Sequence, residues 1–346
     1  MLLYILRRVL LAIPTLLLIS VVIFTILYFA PGDPTAQLPM NIPQEVRARM
    51  REQLGLNDGY FVRYLRWAGQ MFINEPLHFI RGPLNVVDRT FDTCIGSCAD
   101  RPRITSWQSR SPALDVIGQR LPQTLWVLGT AFVIGILIAI PVGVISAYKQ
   151  YSWFDSVGTF VTMIGYSVPT FFSGLLFIVI FSVQLKWFPS TYNTRHVVDW
   201  TDFESIKIQA KQMAMPVGVL SLFNAAALTR FTRAAMLDNL NEDYVRTARS
   251  KGRRERGVVM IHVLRNSLIP VVTLIALQVP GIFAGAIITE QIFRINGLGS
   301  MLILSMEQGD VPMVQTLTFI FAFLIVAFNL IADVLYGLLD PRIRYD

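Results

Sequence analysis

The chain has 346 residues, of which 53% are hydrophobic and 15% charged, with a formal net charge of +7. A soluble domain carries about a quarter charged residues, and here the deficit is patterned. Long runs almost free of charge alternate with polar stretches, which excludes a plain soluble globule and indicates a polytopic membrane protein. Basic residues concentrated in inner loops account for the positive balance, and no basic, aromatic-interleaved face offers itself to nucleic acid.

The first element is the run VLLAIPTLLLISVVIFTILYFA at 9–30. At about 1.5 Å per residue it crosses a hydrocarbon core of about 30 Å. It is longer than the apolar stretch of a signal peptide, and YFAPGDP makes a poor small-x-small cleavage site, so a retained first helix is expected. Five further spans are expected at about 122–147, 157–183, 214–236, 268–291 and 317–339. Pro122, Pro216 and Pro270 fall near the starts of their spans, where a missing N–H costs little. Pro141 and Pro169 fall inside spans and are expected to kink them. The pairs Ala139–Gly143 and Gly281–Gly285 are spaced to let helices approach closely. The expected fold is all-α, a polytopic membrane protein with six transmembrane helices and a large extracytoplasmic loop between helices 1 and 2.

Six spans place both termini on one side, and the positive-inside rule selects the cytoplasm. The inner segments then carry Arg7, Arg8, Lys149, the run of basic residues from Arg246 to Arg265, Arg342 and Arg344. The expected organisation is a first segment and helix at 1–30, an extracytoplasmic region at 31–121, a core at 122–339 with a cytoplasmic loop at 237–267, and a tail at 340–346. The region 31–121 is too long for a plain connector. Within it, PQEVRARMREQLGL at 43–56 reads as a helix that Pro43 starts, Val46, Met50 and Leu54 line, and Gly55 stops. Cys94 and Cys98, in CIGSC, would lie in an oxidising compartment, where a small local disulfide is expected rather than two free thiols. Two cysteines and the scattered His78, His196 and His262 do not make a zinc site, so no metal site is expected.

The segment EDYVRTARSKG at 242–252 is charged and helix-like. Glu242 and Asp243 suit the positive end of a helix dipole, and Arg249 and Lys251 the negative end. Gly252 can supply the left-handed residue that ends the helix. Tyr244, Val245 and Ala248 form a narrow apolar stripe. Such a helix, two to three turns long, is too short to be stable alone, and a second helical piece at about 254–266 is expected to follow it and run into LIP at 268–270. One reading is a connector lying on the membrane surface. The small stripe, with an amphipathic tyrosine, is better suited to a protein groove.

DYVRTARSKG, with Ile269–Pro270 downstream, resembles the EAA loop of permease subunits of binding-protein-dependent ABC importers. The chain is more specifically similar to the B-type permease of the dipeptide/oligopeptide family. The likeness covers nearly the whole length, through LLYILRRVLLAIPTL, APGDPTAQL at 30–38, GYSVPTFFSGLL at 165–176, HVLRNSLIPVVT at 262–273, TEQIFRINGLGSML at 289–302 and DPRIRY at 340–345. The resemblance implies the type I ABC importer permease fold, with the EAA-type loop as a coupling helix docked in a groove of an ATPase subunit. The family's alanine falls on Ala248, its glycine on Gly252 and its acidic position near Asp243, although the literal EAA reads RTA at 246–248. Tyr244 and Val245 complete the implied coupling set. The segment 81–112 looks like an insertion. The implied partners are a second, C-type permease subunit, one or two ABC ATPase subunits, an extracytoplasmic substrate-binding protein and membrane lipid. ATP and magnesium are expected on the ATPases, with no cofactor in this chain, which lacks a G-x-x-x-x-G-K-[ST] phosphate loop. Peptide is the cargo most implied; glutathione, metal chelates, opines and oligosaccharides are alternatives.

Polar residues at membrane depth are functional candidates, and here they are Asn224, Arg230, Gln278, Glu290, Asn329 and Asp333. Arg230, Glu290 and Asp333 lie near span ends and can be read as reaching the interface. Asn224 and Gln278 lie deeper, as translocation-path residues or as partners in interhelical hydrogen bonds. An ion-coupled carrier would call for carboxylates near span centres and paired repeats, and a membrane enzyme for a nucleophile–base or metal set. The sequence offers neither.

Overall fold

The computed structural model describes residues 2–30, 43–53, 55–81, 103–194, 196, 198, 199, 201–284 and 287–339. Cys94, Cys98, the glycine at 285, most of the 81–112 insertion and the 340–346 tail lie outside them. In chain order the helices are α1 (Leu2–Phe29), α2 (Gln44–Gln53), α3 (Tyr60–Gly69) running through a π-helical turn into α4 (Glu75–Arg81), α5 (Ala113–Tyr148), α6 (Trp153–Ser167), α7 (Thr170–Gln184) and α8 (Phe203–Leu240). After these come α9 (Asp243–Ser250), α10 (continuous over 255–284), α11 (Ile287–Ile292), α12 (Leu298–Glu307) and α13 (Val311–Leu339). Among the described residues five helices are long and apolar enough to cross a membrane, and α6 with α7 makes up to a sixth span, bent by 103°.

That bend is the kink expected at Pro169. Val168 is extended ahead of the proline, with φ −83° and ψ 124°, as the ring's clash with the preceding residue demands. Pro141, by contrast, stays inside unbroken helix. The three prolines expected near helix starts are all interior. α5 begins at Ala113, α8 at Phe203 and the helix containing Pro270 at Glu255. In α5 and α8 a polar leading stretch precedes the apolar run, and the helical piece expected at about 254–266 is found as the start of α10, continuous through Pro270. In α5 a π-helical turn, Leu125–Gly129, follows Pro122 within three residues. The helix read at 43–56 is found at Gln44–Gln53, with Val46 N–H donating to Pro43 O and Gly55 left-handed at φ +64°.

The chain divides into two compact units. One comprises residues 1–9, 121–300 and 324–346, the other 10–120 and 301–323. The first is organised by α5 against α8. Gly135, Ala139 and Gly143 recur every four residues and share one helix face. A Cβ on Gly143 would lie 2.8 Å from Thr232 Cβ and 2.9 Å from Thr229 O, so the small residues are what permit the approach. Ala139 is fully buried there. In the second unit Phe24 of α1 packs edge-on to Tyr60 and Tyr64 of α3, with ring centroids 5.4 and 5.3 Å away. Buried Glu75 pairs with Arg103 at 2.9 Å and accepts the Ile104 N–H at 3.0 Å. Asp310, also buried, accepts from Ser106 Oγ and from the N–H groups of Trp107 and Met313.

Candidate functional site

The charged segment forms α9, two turns long. Its first helical residue is Asp243; Glu242 occupies the cap position without a side-chain cap bond, and Asn241 instead donates to Leu237 O at the end of α8. Lys251 N–H donates to Thr247 O, and Gly252 N–H donates to Arg249 O. Gly252 sits at φ +72°, and among the described residues nothing lies within 4 Å of the place a Cβ would take. The glycine is therefore required by backbone conformation, not by space.

The stripe faces inward. Val245 is fully buried and Ala248 9% exposed, against Val144 and Ala147 of α5, Met236 of α8 and Val258, Val259 and Val263 of α10. Tyr244 packs at the edge and its hydroxyl donates to Asn239 Oδ1 at 2.9 Å. The stripe read as fitting another protein's groove thus lies against this chain's own core. The outward face is Asp243, Arg246, Thr247 and Ser250, with the Asp243 and Arg246 side chains 96% and 74% exposed. Arg249 makes a bidentate contact with Glu255, at 2.7 and 3.2 Å, joining the last turn of α9 to the start of α10. The hydrogen bond to Glu255 raises the guanidinium's pKa above its usual value.

Beside α9 the bundle end carries a second fixed point. Arg233 of α8 grips Asp155 of α6 through two bonds of 2.7 and 2.8 Å, and Asp155, 4% exposed, also accepts the Tyr151 N–H. Four exposed or half-exposed residues, Lys149 to Ser152, make the turn between α5 and α6.

Asn224 and Gln278, the deep amides, come together on one cavity of about 840 Å³. Phe132 of α5, Tyr166, Pro169 and Phe171 at the α6–α7 bend, Asn224 and Ala227 of α8 and Gln278 of α10 line it. The bend at Pro169 supplies one wall. This is a mostly apolar space with two amides, able to hold a flexible molecule through its backbone groups without demanding a particular side chain.

Glu290 does not reach an interface. It is fully buried, accepting from Thr124 Oγ1 at 3.1 Å and from Ser300 N–H at 2.8 Å, while Thr124 Oγ1 in turn accepts the Leu298 N–H at 2.8 Å. A Cβ on Gly297 would overlap the carboxylate. The spacing E-x6-G-x-G is visible in TEQIFRINGLGS, but nothing in the sequence places Thr124 against it. Asp333 is paired with Arg8 at 2.8 Å.

Residues 139–345 match the family described as binding-protein-dependent transport system inner membrane component, and residues 1–128 match the N-terminal region described for the same kind of membrane component. The chain is similar to the oligopeptide transport system permease protein AppB of Bacillus subtilis, at 39% identity over 99% of both chains. It is 34% identical to a putative peptide transport system permease protein of Brucella abortus over 99% of both. The glutathione transport system permease protein GsiC of Salmonella paratyphi A is 33% identical over the full length of both.

Proposed function

The chain belongs to the family of binding-protein-dependent transport system inner membrane components, and on that premise we propose that it forms the translocation pathway of an ATP-driven importer of peptides. The observation that carries the reading is α9: a two-turn helix seated by apolar contacts on α5, α8 and α10, with its charged face turned outward. That is the form a handle for a separate motor takes, since its seat ties it to three long helices while Asp243, Arg246 and Thr247 stay exposed to meet a partner. The three helices under α9 also supply walls of the 840 Å³ cavity, which supports a route from α9 to it.

In this reading both termini and α9 face the cytoplasm, in the positive-inside sense. ATP and magnesium are bound by one or two ATPase chains, a C-type sister permease completes the pathway, and an extracytoplasmic binding protein delivers cargo. Nucleotide-driven closure of the ATPases displaces α9 and switches the cavity between inward and outward access, a two-state element biased from a distance. Cargo is inferred from relatives named for oligopeptide and peptide transport; the relative named for glutathione transport supports a small peptide-like cargo as the second reading.

The test is a cysteine at Thr247, exposed on α9, in a chain with Cys94 and Cys98 replaced, paired with a cysteine in the groove of the co-expressed ATPase. A disulfide that depends on nucleotide state, in a complex that takes up a labelled oligopeptide, is expected. Absence of the cross-link in every nucleotide state sinks the coupling assignment.

A further inference from the structure

Arg230 differs from Arg8 and Arg233 in its partners. Arg8 is paired with Asp333, and Arg233, one turn along α8 from Arg230, is held by Asp155. Among the described residues Arg230 has no acid partner; its guanidinium carbon lies 5.0 Å from the centroid of the Tyr166 ring. A cation over an aromatic face keeps its charge and its N–H fork available. Arg230 is exposed and lies one turn from Arg233 at the bundle end, so its guanidinium is open to a ligand.

Arg230 lines a pocket of about 150 Å³ with Ser146, Thr159, Thr162, Tyr166 and Thr229. Ser146 is 1% exposed, and its hydroxyl has no partner among the described residues. Two kinds of unused hydrogen-bonding capacity, one of them cationic, thus meet in a space the size of a few heavy atoms. Arg233 also lines the pocket, but its charge is already neutralised. Tyr166 and Ser167 line both this pocket and the 840 Å³ cavity that Asn224 and Gln278 share, so the two spaces adjoin.

We propose that Arg230 is the carboxylate-binding residue of the pathway. The free α-carboxylate of a peptide docks on its guanidinium beside Tyr166, while the rest of the chain lies in the amide-lined cavity. This rests on the peptide reading above and deepens it by naming the group of the cargo that is recognised within the membrane. A planar guanidinium binds a carboxylate with two parallel N–H···O bonds, and the amides accommodate backbone groups of any sequence. A site that reads only what all peptides share suits a pathway whose side-chain selectivity resides elsewhere.

The experiment uses the complete transporter with Cys94 and Cys98 replaced and a single cysteine at Thr162, in the same pocket. The rate of labelling by an anionic methanethiosulfonate is compared with that by a cationic one of similar size. A free guanidinium nearby should favour the anionic reagent by about tenfold. R230Q should abolish that preference, and R230K should keep most of it. In parallel, R230Q should lower the maximal rate of uptake of a free-acid peptide about tenfold, while ATPase stimulation by the loaded binding protein changes less than twofold. No anion preference in the unsubstituted pocket, or an equal preference in R230Q, overturns the proposal. So does uptake by R230Q at the unsubstituted maximal rate. An anion preference that depends on Arg230, in a complex that transports no peptide, leaves the carboxylate site standing and removes the peptide reading instead.

Discussion

Two short segments within the same unit are held in opposite ways. α9 is seated by Val245 and Ala248 on apolar neighbours, with its charges outside. The turn from Glu290 to Ser300 is seated by a buried carboxylate that accepts from Thr124 and Ser300, in a space two glycines keep open. Apolar contact is non-directional and roughly proportional to area, so a seat of that kind tolerates a small tilt. A buried, fully engaged carboxylate tolerates one geometry, because any displacement leaves a charge without its donors. The first is suited to passing on a displacement and the second to fixing a pivot.

The largest expected effect therefore belongs to the pivot. Glu290→Ala removes the acceptor for Ser300 N–H and Thr124 Oγ1 and leaves a cavity, and should cost about 3 kcal/mol. It should be read as a lowered unfolding temperature of the detergent-solubilised complex and a reduced yield in the membrane. Glu290→Gln keeps the shape and one acceptor and should lose roughly half as much. A Glu290→Ala protein as stable as the parent would remove this side of the comparison.

Next comes the seat of α9. Val245→Asp places a charge where there is no exposure, and a helix this short cannot hold itself in water. The segment should detach locally while the bundle survives, since local opening costs less than global unfolding. Faster proteolysis at the basic run after Gly252, unchanged association with the partner permease and loss of uptake are expected together. Gly252→Val should act more mildly. It forces a β-branched residue to φ +72° at a local cost of about 1–3 kcal/mol, with no clash, so assembly should persist while uptake falls several-fold. Unchanged uptake by this variant would count against α9 as the coupling element.

How much of this the sequence disclosed follows the range of the interactions. The apolar spans, the α2 helix between Pro43 and Gly55, the break at Pro169 and the left-handed Gly252 each depend on residues within a few positions of one another. They are legible for that reason. The true starts of α5 and α8 are not, because their leading turns are polar and continue past a proline that ordinarily marks a first turn; in α10 the leading helix is legible, and only its unbroken passage through Pro270 is not. The stripe of α9 is legible as a stripe, but its partner is not. The surface under Val245 joins Met236, Val258, Val259 and Val263 of the two adjoining helices to Val144 and Ala147 of α5, about a hundred positions upstream. The meeting of Asn224 with Gln278, and of Arg230 with Tyr166, is likewise a product of packing at long range. The Glu290 knot needs Thr124, 166 positions away.

The smallest effect on stability, and the sharpest test of what α9 does, concerns Arg249 and Glu255. The pair is bidentate, but its side chains are 44% and 40% exposed. Exposed pairs of this kind contribute about 1 kcal/mol or less, and salt screens them. Glu255→Gln should therefore leave the unfolding temperature within a few degrees of the parent. Yet the pair is the polar tie between the end of α9 and the start of α10, the helix that carries Gln278 to the cavity. If displacement of α9 reaches the cavity through that tie, Glu255→Gln and Arg249→Gln should each lower the peptide taken up per ATP hydrolysed, without lowering ATPase stimulation. The exchange Arg249→Glu with Glu255→Arg should recover most of the ratio, because the pair's geometry matters more than its polarity. Should both single variants transport with the parental ratio, the apolar seat alone carries the motion and the tie is a surface ion pair with no part in coupling.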